Sequence, residues 1–91
     1  MMPDPASGKT RADLARFLES HRIQTRPLFA GNLTRHPCFE GLKAGRDYRA
    51  AAPLVNTDRL MNDALWVGVY PGMTEAKRAF MAEKIREFFR A

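Results

Sequence analysis

Leu65-Trp66-Val67-Gly68-Val69-Tyr70 is the stretch on which the fold turns. It is apolar on both faces and rich in β-branched and aromatic residues, the composition of a strand covered on both sides. Pro71-Gly72 closes it. On its amino-terminal side Asn56-Thr57-Asp58 offers an N-cap region, and Leu60, Met61 and Ala64 follow on one helical face, so a short helix should feed the strand. On the other side Thr74 caps a last helix with Glu75 in its first turn, where a negative charge complements the helix dipole. Met81, Ile85, Phe88 and Phe89 form that helix's apolar stripe.

Upstream, Thr10 and Asp13 make a capping-box pattern, and Leu14, Phe17, Leu18 and His21 recur at helical spacing, which predicts a helix of about three turns. Ile23-Gln24-Thr25 reads as a short strand leading into Arg26-Pro27, where the proline biases Arg26 toward extended geometry. From Pro27 to Pro53 no period is sustained, so a long surface loop is expected, with one helical turn near Pro37 to Leu42. Loops of that length in a small domain are usually functional or mobile. The expected class is α/β in the α+β sense, three helices on a small sheet. Two short strands make a poor sheet, while Leu65 to Tyr70 demands cover on both faces. A third strand is expected upstream of Thr10, where residues 1–9 form an irregular leader without strand character, so the chain should be truncated at its beginning.

Ninety-one residues, 45% of them apolar, suit one globular domain with a packed core and leave no room for a second. The net charge of +5 is concentrated. Between residues 20 and 50, Arg22, Arg26, Arg35, Lys43, Arg46 and Arg49 face only Glu40 and Asp47, a local excess of +4. Such an excess suits an anionic partner or is simply solvated. The single Cys38 has no internal partner, and the start lacks a basic n-region and an apolar h-region, so a reduced, cytoplasmic setting without membrane association is expected.

Ser7-Gly8-Lys9-Thr10 mimics the end of a phosphate-binding loop, but Pro3 stands where the first glycine belongs and no strand precedes it. His36, Cys38 and His21 are too few for a tetrahedral metal site, and nothing marks Cys38 as a nucleophile. The stronger constellation is Ile23 to Pro37, where a strand end joins a loop carrying Arg26, Asn32 and Arg35. Guanidinium forks match phosphate oxygens, and an asparagine amide can hydrogen-bond sugar hydroxyls from either end. The alternative is that the arginines pin the loop to carboxylates such as Glu40 or Asp58. Arg59, before the expected buried strand, carries the same ambiguity.

Two blocks, Ile23 to Phe39 and Asn56 to Thr74, closely resemble the carboxy-terminal end of the nucleotide-4-keto-6-deoxyhexose 3-dehydrases of dideoxysugar and lipopolysaccharide biosynthesis. These enzymes belong to the DegT/DnrJ/EryC/StrS aminotransferase-like family, and the similarity covers about residues 10 to 90. The resemblance implies that residues 10–91 are the C-terminal small domain of a fold-type I enzyme dependent on pyridoxal or pyridoxamine phosphate (PLP or PMP). It implies a homodimer acting on a nucleotide-diphosphate sugar, with the cofactor as electron sink. It places the cofactor-facing lysine or histidine, the phosphate cradle and the acid for the pyridine nitrogen in the large domain, so this chain alone should bind no cofactor and be inactive. By position in the blocks, Asn32, Arg35, Arg26 and Arg59 are the implied ligands of the sugar and its diphosphate. His36 stands where the family usually has glutamine, and Arg22 where a helix-ending glycine is common. The rival readings are a stand-alone basic module for nucleic acid or a small partner protein. Against the first, no aromatic residues are interleaved with the basic ones in a recognisable motif.

Overall fold

Thr10 starts the first helix as its spacing predicts. Its hydroxyl accepts from the Asp13 amide and the Asp13 carboxylate accepts from the Thr10 amide, closing a capping box. Helix α1 then runs Arg11–Ser20 in the computed structural model, which describes residues 1–91. Its end is equally local in origin. Arg22 adopts the left-handed conformation at φ 62°, so the Ile23 amide reaches back to the Leu18 carbonyl (3.0 Å) and the Arg22 amide to that of Glu19 (3.0 Å). This is a Schellman terminus, with Leu18 and Ile23 as its apolar contact. A left-handed arginine costs on the order of 1 kcal/mol relative to glycine.

Because Ile23 is consumed in ending the helix, the strand expected at Ile23 to Thr25 begins two residues later. Strand β1 is Thr25–Pro27, antiparallel to β2, Leu65–Val67, with Arg26 opposite Trp66 and Pro27 opposite Leu65. Pro27 is tolerated because Leu65 turns its peptide groups to the other edge, where its amide donates to the Met1 carbonyl (2.9 Å) and its carbonyl accepts from the Met1 nitrogen (2.7 Å). The two strands form the whole sheet.

The expectation for Leu65 to Tyr70 needs correcting in length and in cover. β2 ends at Val67, and Trp66 is 57% exposed with Val69 at 88%. Leu65 and Val67 face a core built with Leu14, Leu18, Ile23 and Phe88, so α1 and the last helix both lie on one face of the sheet. No element of the chain covers the Trp66 face.

Helix α2, Val55–Asp63, also begins earlier than expected. Asn56, Thr57 and Asp58 sit inside its first turn, and Leu54 occupies the N-cap position without a side-chain hydrogen bond. The Asp58 carboxylate does not cap its own helix because it is engaged by the long loop. The other end of α2 is held by Arg11, whose Nη1 donates to the carbonyls of Met61 (2.6 Å) and Ala64 (3.3 Å), a cation where the helix dipole favours one. Helix α3, Glu75–Arg90, is capped by Thr74, which accepts from the Lys77 amide (3.2 Å). At its far end Lys9 donates to the carbonyls of Phe88 and Ala91 and lies 4.7 Å from the Phe88 ring centroid. The lysine of Ser7-Gly8-Lys9-Thr10 thus closes a helix terminus.

The long loop holds two 3-10 turns, Leu33–Arg35 and Pro37–Phe39, and Phe39 packs edge-on against Tyr48 (5.0 Å). Only 9 of 91 residues are buried, which overturns the expectation of a compact globule. The radius of gyration is 16.9 Å, against about 12 Å for a globular chain of this length. The accessible surface of 6929 Å² likewise exceeds the roughly 5,400 Å² of a compact protein of this mass. The long loop standing off the core and the bare sheet face account for both excesses.

Candidate functional site

The loop after β1 turns back on itself through two left-handed residues, Ala30 at φ 63° and Gly31 at φ 70°. Gly31 lies so close to α2 that a β-carbon there would fall 2.4 Å from Cβ of Met61. The reversal delivers Asn32 to the first turn of α2, where it is 3% exposed and fully engaged. Its Nδ2 donates to Asp58 Oδ1 (2.7 Å), and its Oδ1 accepts from the amide (3.1 Å) and hydroxyl (2.6 Å) of Thr34. Arg35 closes the figure with Nε on Asp58 Oδ1 (2.9 Å) and Nη2 on Oδ2 (2.9 Å), a two-pronged ion pair. His36 also ties the loop to itself, its Nε2 meeting the Ala30 carbonyl.

Asp58 is therefore the residue around which the site is organised. The hydrogen bond from Arg35, and then that from Asn32, hold its carboxyl below the ordinary value of 3.8, and the same contact raises the Arg35 guanidinium. Because the folded-state pKa is the lower one, this pairing stabilises the loop fully above the unfolded value and is lost as the pH falls through the depressed folded value. Acidification should accordingly release the loop only below pH 3.8. Replacing Asp58 with Ala should release it at neutral pH and leave the buried Asn32 amide without an acceptor, at a cost of about 1–3 kcal/mol. The Asn32 side-chain amide resonances followed against pH, in the parent and in Asp58→Ala, check both outcomes.

Four residues were singled out from the sequence, and the structure treats them differently. Asn32 and Arg35 are brought together on Asp58, the carboxylate that the alternative reading named. Arg26 extends from β1, with Nη1 on the Thr25 carbonyl (3.1 Å). In the amide orientation that satisfies both groups, the Gln24 oxygen accepts from Arg26 Nη2 (2.7 Å). Arg59 is exposed on the first turn of α2, next to Asp58, and takes part in no ion pair. Of the other loop cations, Arg46 is held by Asp47 (2.6 Å).

Sequence reading missed two aromatic residues beside this group. Trp66 and Phe29, the latter 90% exposed, border a depression of about 480 Å³ with Arg26, Pro27, Leu28 and Ala30. The Trp66 indole N–H donates to the Pro27 carbonyl (3.2 Å), which fixes the ring over the strand end. Phe29 had a signal, an aromatic residue between Pro27 and Gly31 in a stretch without apolar period. Trp66 had none, since its neighbours in sequence are those of a buried strand. The exposed guanidinium groups and aromatic faces together form a surface able to bind phosphate oxygens and to stack on planar or sugar rings.

The same residues offer little for a metal or for PLP chemistry. No three His, Cys, Asp or Glu side chains converge. Lys9 is spent on the end of α3, Lys84 on Glu87 (2.8 Å), and Lys77 on the Tyr70 hydroxyl (3.0 Å). The groove that Lys77 lines, about 590 Å³ between Arg22, Ile23, Tyr70, Met73 and Phe80, contains no carboxylate to meet a pyridine nitrogen. The chain's own residues do not fit that cofactor. No helix is long and apolar enough to cross a membrane.

Comparison with known proteins bears directly on this site. The chain is 46% identical over 83 residues to the lipopolysaccharide biosynthesis protein RfbH of Salmonella typhimurium, a match covering 91% of the chain and 18% of that protein. It is 49% identical over 82 residues to the dTDP-4-dehydro-2,6-dideoxy-D-glucose 3-dehydratase of Saccharopolyspora spinosa, covering 90% of the chain and 17% of that enzyme. The chain thus spans less than a fifth of the length of either relative. The sequence model of one family matches residues 1–86, taking in both strands, the Asp58 cluster and all but the last turn of α3. With a match across nearly its whole length, the chain belongs to the DegT/DnrJ/EryC1/StrS aminotransferase family.

Proposed function

We propose that the chain is the C-terminal small domain of a PLP- or PMP-dependent nucleotide-sugar 3-dehydrase of fold type I, truncated from a longer cytoplasmic, homodimeric enzyme of deoxysugar or lipopolysaccharide biosynthesis. In this reading it holds the nucleotide-diphosphate sugar and performs no chemistry. One observation carries the reading: the Asp58 cluster fixes a cationic, aromatic-bordered loop in a chain 49% identical to a dTDP-sugar 3-dehydratase.

The roles divide by what each side chain has left to offer. Asn32 has both amide ends engaged and serves to order the loop. Arg35 keeps an exposed guanidinium beyond its contacts with Asp58, and Arg26 and Arg59 carry charges no carboxylate neutralises. These three supply the diphosphate contacts, with Trp66 and Phe29 flanking the ring system. The cofactor belongs to the remainder of the enzyme. Nucleic-acid recognition is not favoured, because Arg35 and Arg46 are already paired and the relatives are sugar-metabolising proteins.

The test is a chimera in which this chain replaces the matched 82 residues of the Saccharopolyspora spinosa enzyme. Arg59→Ala and Arg26→Ala in that chimera should each raise KM for the nucleotide sugar about tenfold with kcat little changed, the signature of lost uniform binding. Unchanged KM in both variants would remove these arginines from the substrate site.

A further inference from the structure

The free edge of β2 is laid out to receive another strand. Leu65 and Met1 exchange both backbone hydrogen bonds, 2.9 Å and 2.7 Å, which is the reciprocal pair of an antiparallel ladder. Peptide groups alternate along a strand, so Trp66 turns to β1 and Val67 turns back to the Met1 edge. There the Val67 amide and carbonyl meet no backbone partner. Beyond it, a β-carbon placed on Gly68 would touch nothing within 4 Å, and Val69 is 88% exposed.

The helix layer beneath is too wide for the sheet it supports. α1 and α3 lie side by side under Leu65 and Val67. Packed helices stand about 8–10 Å apart and paired strands about 4.8 Å, so two helices floor about four strands, and this sheet has two. Val67 and Met81 are only partly buried, as expected of residues at the rim of an incomplete core.

We propose that this edge takes a third strand, antiparallel to β2 and continuous with Met1, supplied by the polypeptide leading into residue 1 of a longer chain. The proposal rests on the reading of this chain as a segment of a larger family enzyme. The Met1 and Leu65 pair fixes its register. The residue just before Met1 lies opposite Trp66 on the outer face, and the one before that lies opposite Val67 on the core face, where an apolar side chain would cover Val67 and Met81. Strand residues of alternating polarity are therefore required, in one phase only.

The test extends the chain by four residues, Ile-Thr-Ile-Thr, ahead of Met1, which places isoleucine opposite Val67. A second extension, Thr-Ile-Thr-Ile, has the same composition in the opposite phase, and a third carries proline at the position opposite Val67. The in-phase extension should slow exchange of the Val67 amide by about tenfold or more and raise the denaturation midpoint, while the other two should do neither. Equal protection by both phases, or none by the in-phase strand, would overturn the proposal. The readout is an amide of this chain, so its failure is distinct from failure of the chimera to bind or turn over nucleotide sugar.

Discussion

Gly31→Ala should dismantle the substrate loop. Gly31 sits at φ +70°, where a β-carbon is strained. Added to that, the new methyl group would lie 2.4 Å from Met61 Cβ and 3.0 Å from its Cα. Backbone at that distance cannot rotate away, so either the loop or α2 must move. The conformational cost is about 1 kcal/mol and the overpacking about 1–3 kcal/mol. The comparison with Gly41→Ala separates the two contributions. Gly41 has φ +81° with nothing within 4 Å of an added β-carbon, so it should pay the conformational cost alone. Denaturation midpoints and the Asn32 amide resonances measure the difference. If the two substitutions cost the same, Gly31 does not pack on α2 as described.

Leu18→Ala is the second large effect. Leu18 is 0% exposed, contacts the Ile23 of its own helix terminus, and is one of five residues in the core. A leucine truncated in such a place costs about 2.7–5 kcal/mol, part of it for the cavity left behind. Against so small a core that loss should abolish cooperative unfolding, read as loss of the thermal transition and of dispersed amide resonances. Phe89→Ala, on the 38% exposed rim of α3, should leave the transition in place.

What was legible in the sequence is what is decided within a few residues. The Thr10 and Asp13 box, the Thr74 cap and the apolar stripe of α3 are local signals, and each element begins where its signal lies. The left-handed turn at Arg22 was also readable, but its consequence was not: the Schellman terminus takes up Ile23 and shifts β1 by two residues. Contacts across the chain left no local trace. Asp58 looked like a helix cap because aspartate favours that position, whereas Asn32 and Arg35, 26 and 23 residues away, draw its carboxylate off. Arg11 on the end of α2 and Lys9 on the end of α3 are of the same kind. The exposure of Trp66 has a different cause. A run apolar on both faces encodes cover on both faces, wherever the cover comes from, and this chain supplies only one side. For the candidate site, residue type was enough to pick out the arginines, but not to say which of them a neighbouring carboxylate already held.

The central claim is that this chain holds substrate within a larger catalyst and has no chemistry of its own. The most direct measurement is 3-dehydration of the dTDP-4-keto sugar, followed with added pyridoxamine phosphate and a reductant, for the chain alone and for its chimera with the Saccharopolyspora spinosa enzyme. Turnover by the chimera, with none by the 91-residue chain at any concentration, is the predicted result. Turnover by the isolated chain, or a folded, cofactor-loaded chimera that leaves the sugar untouched, would contradict it.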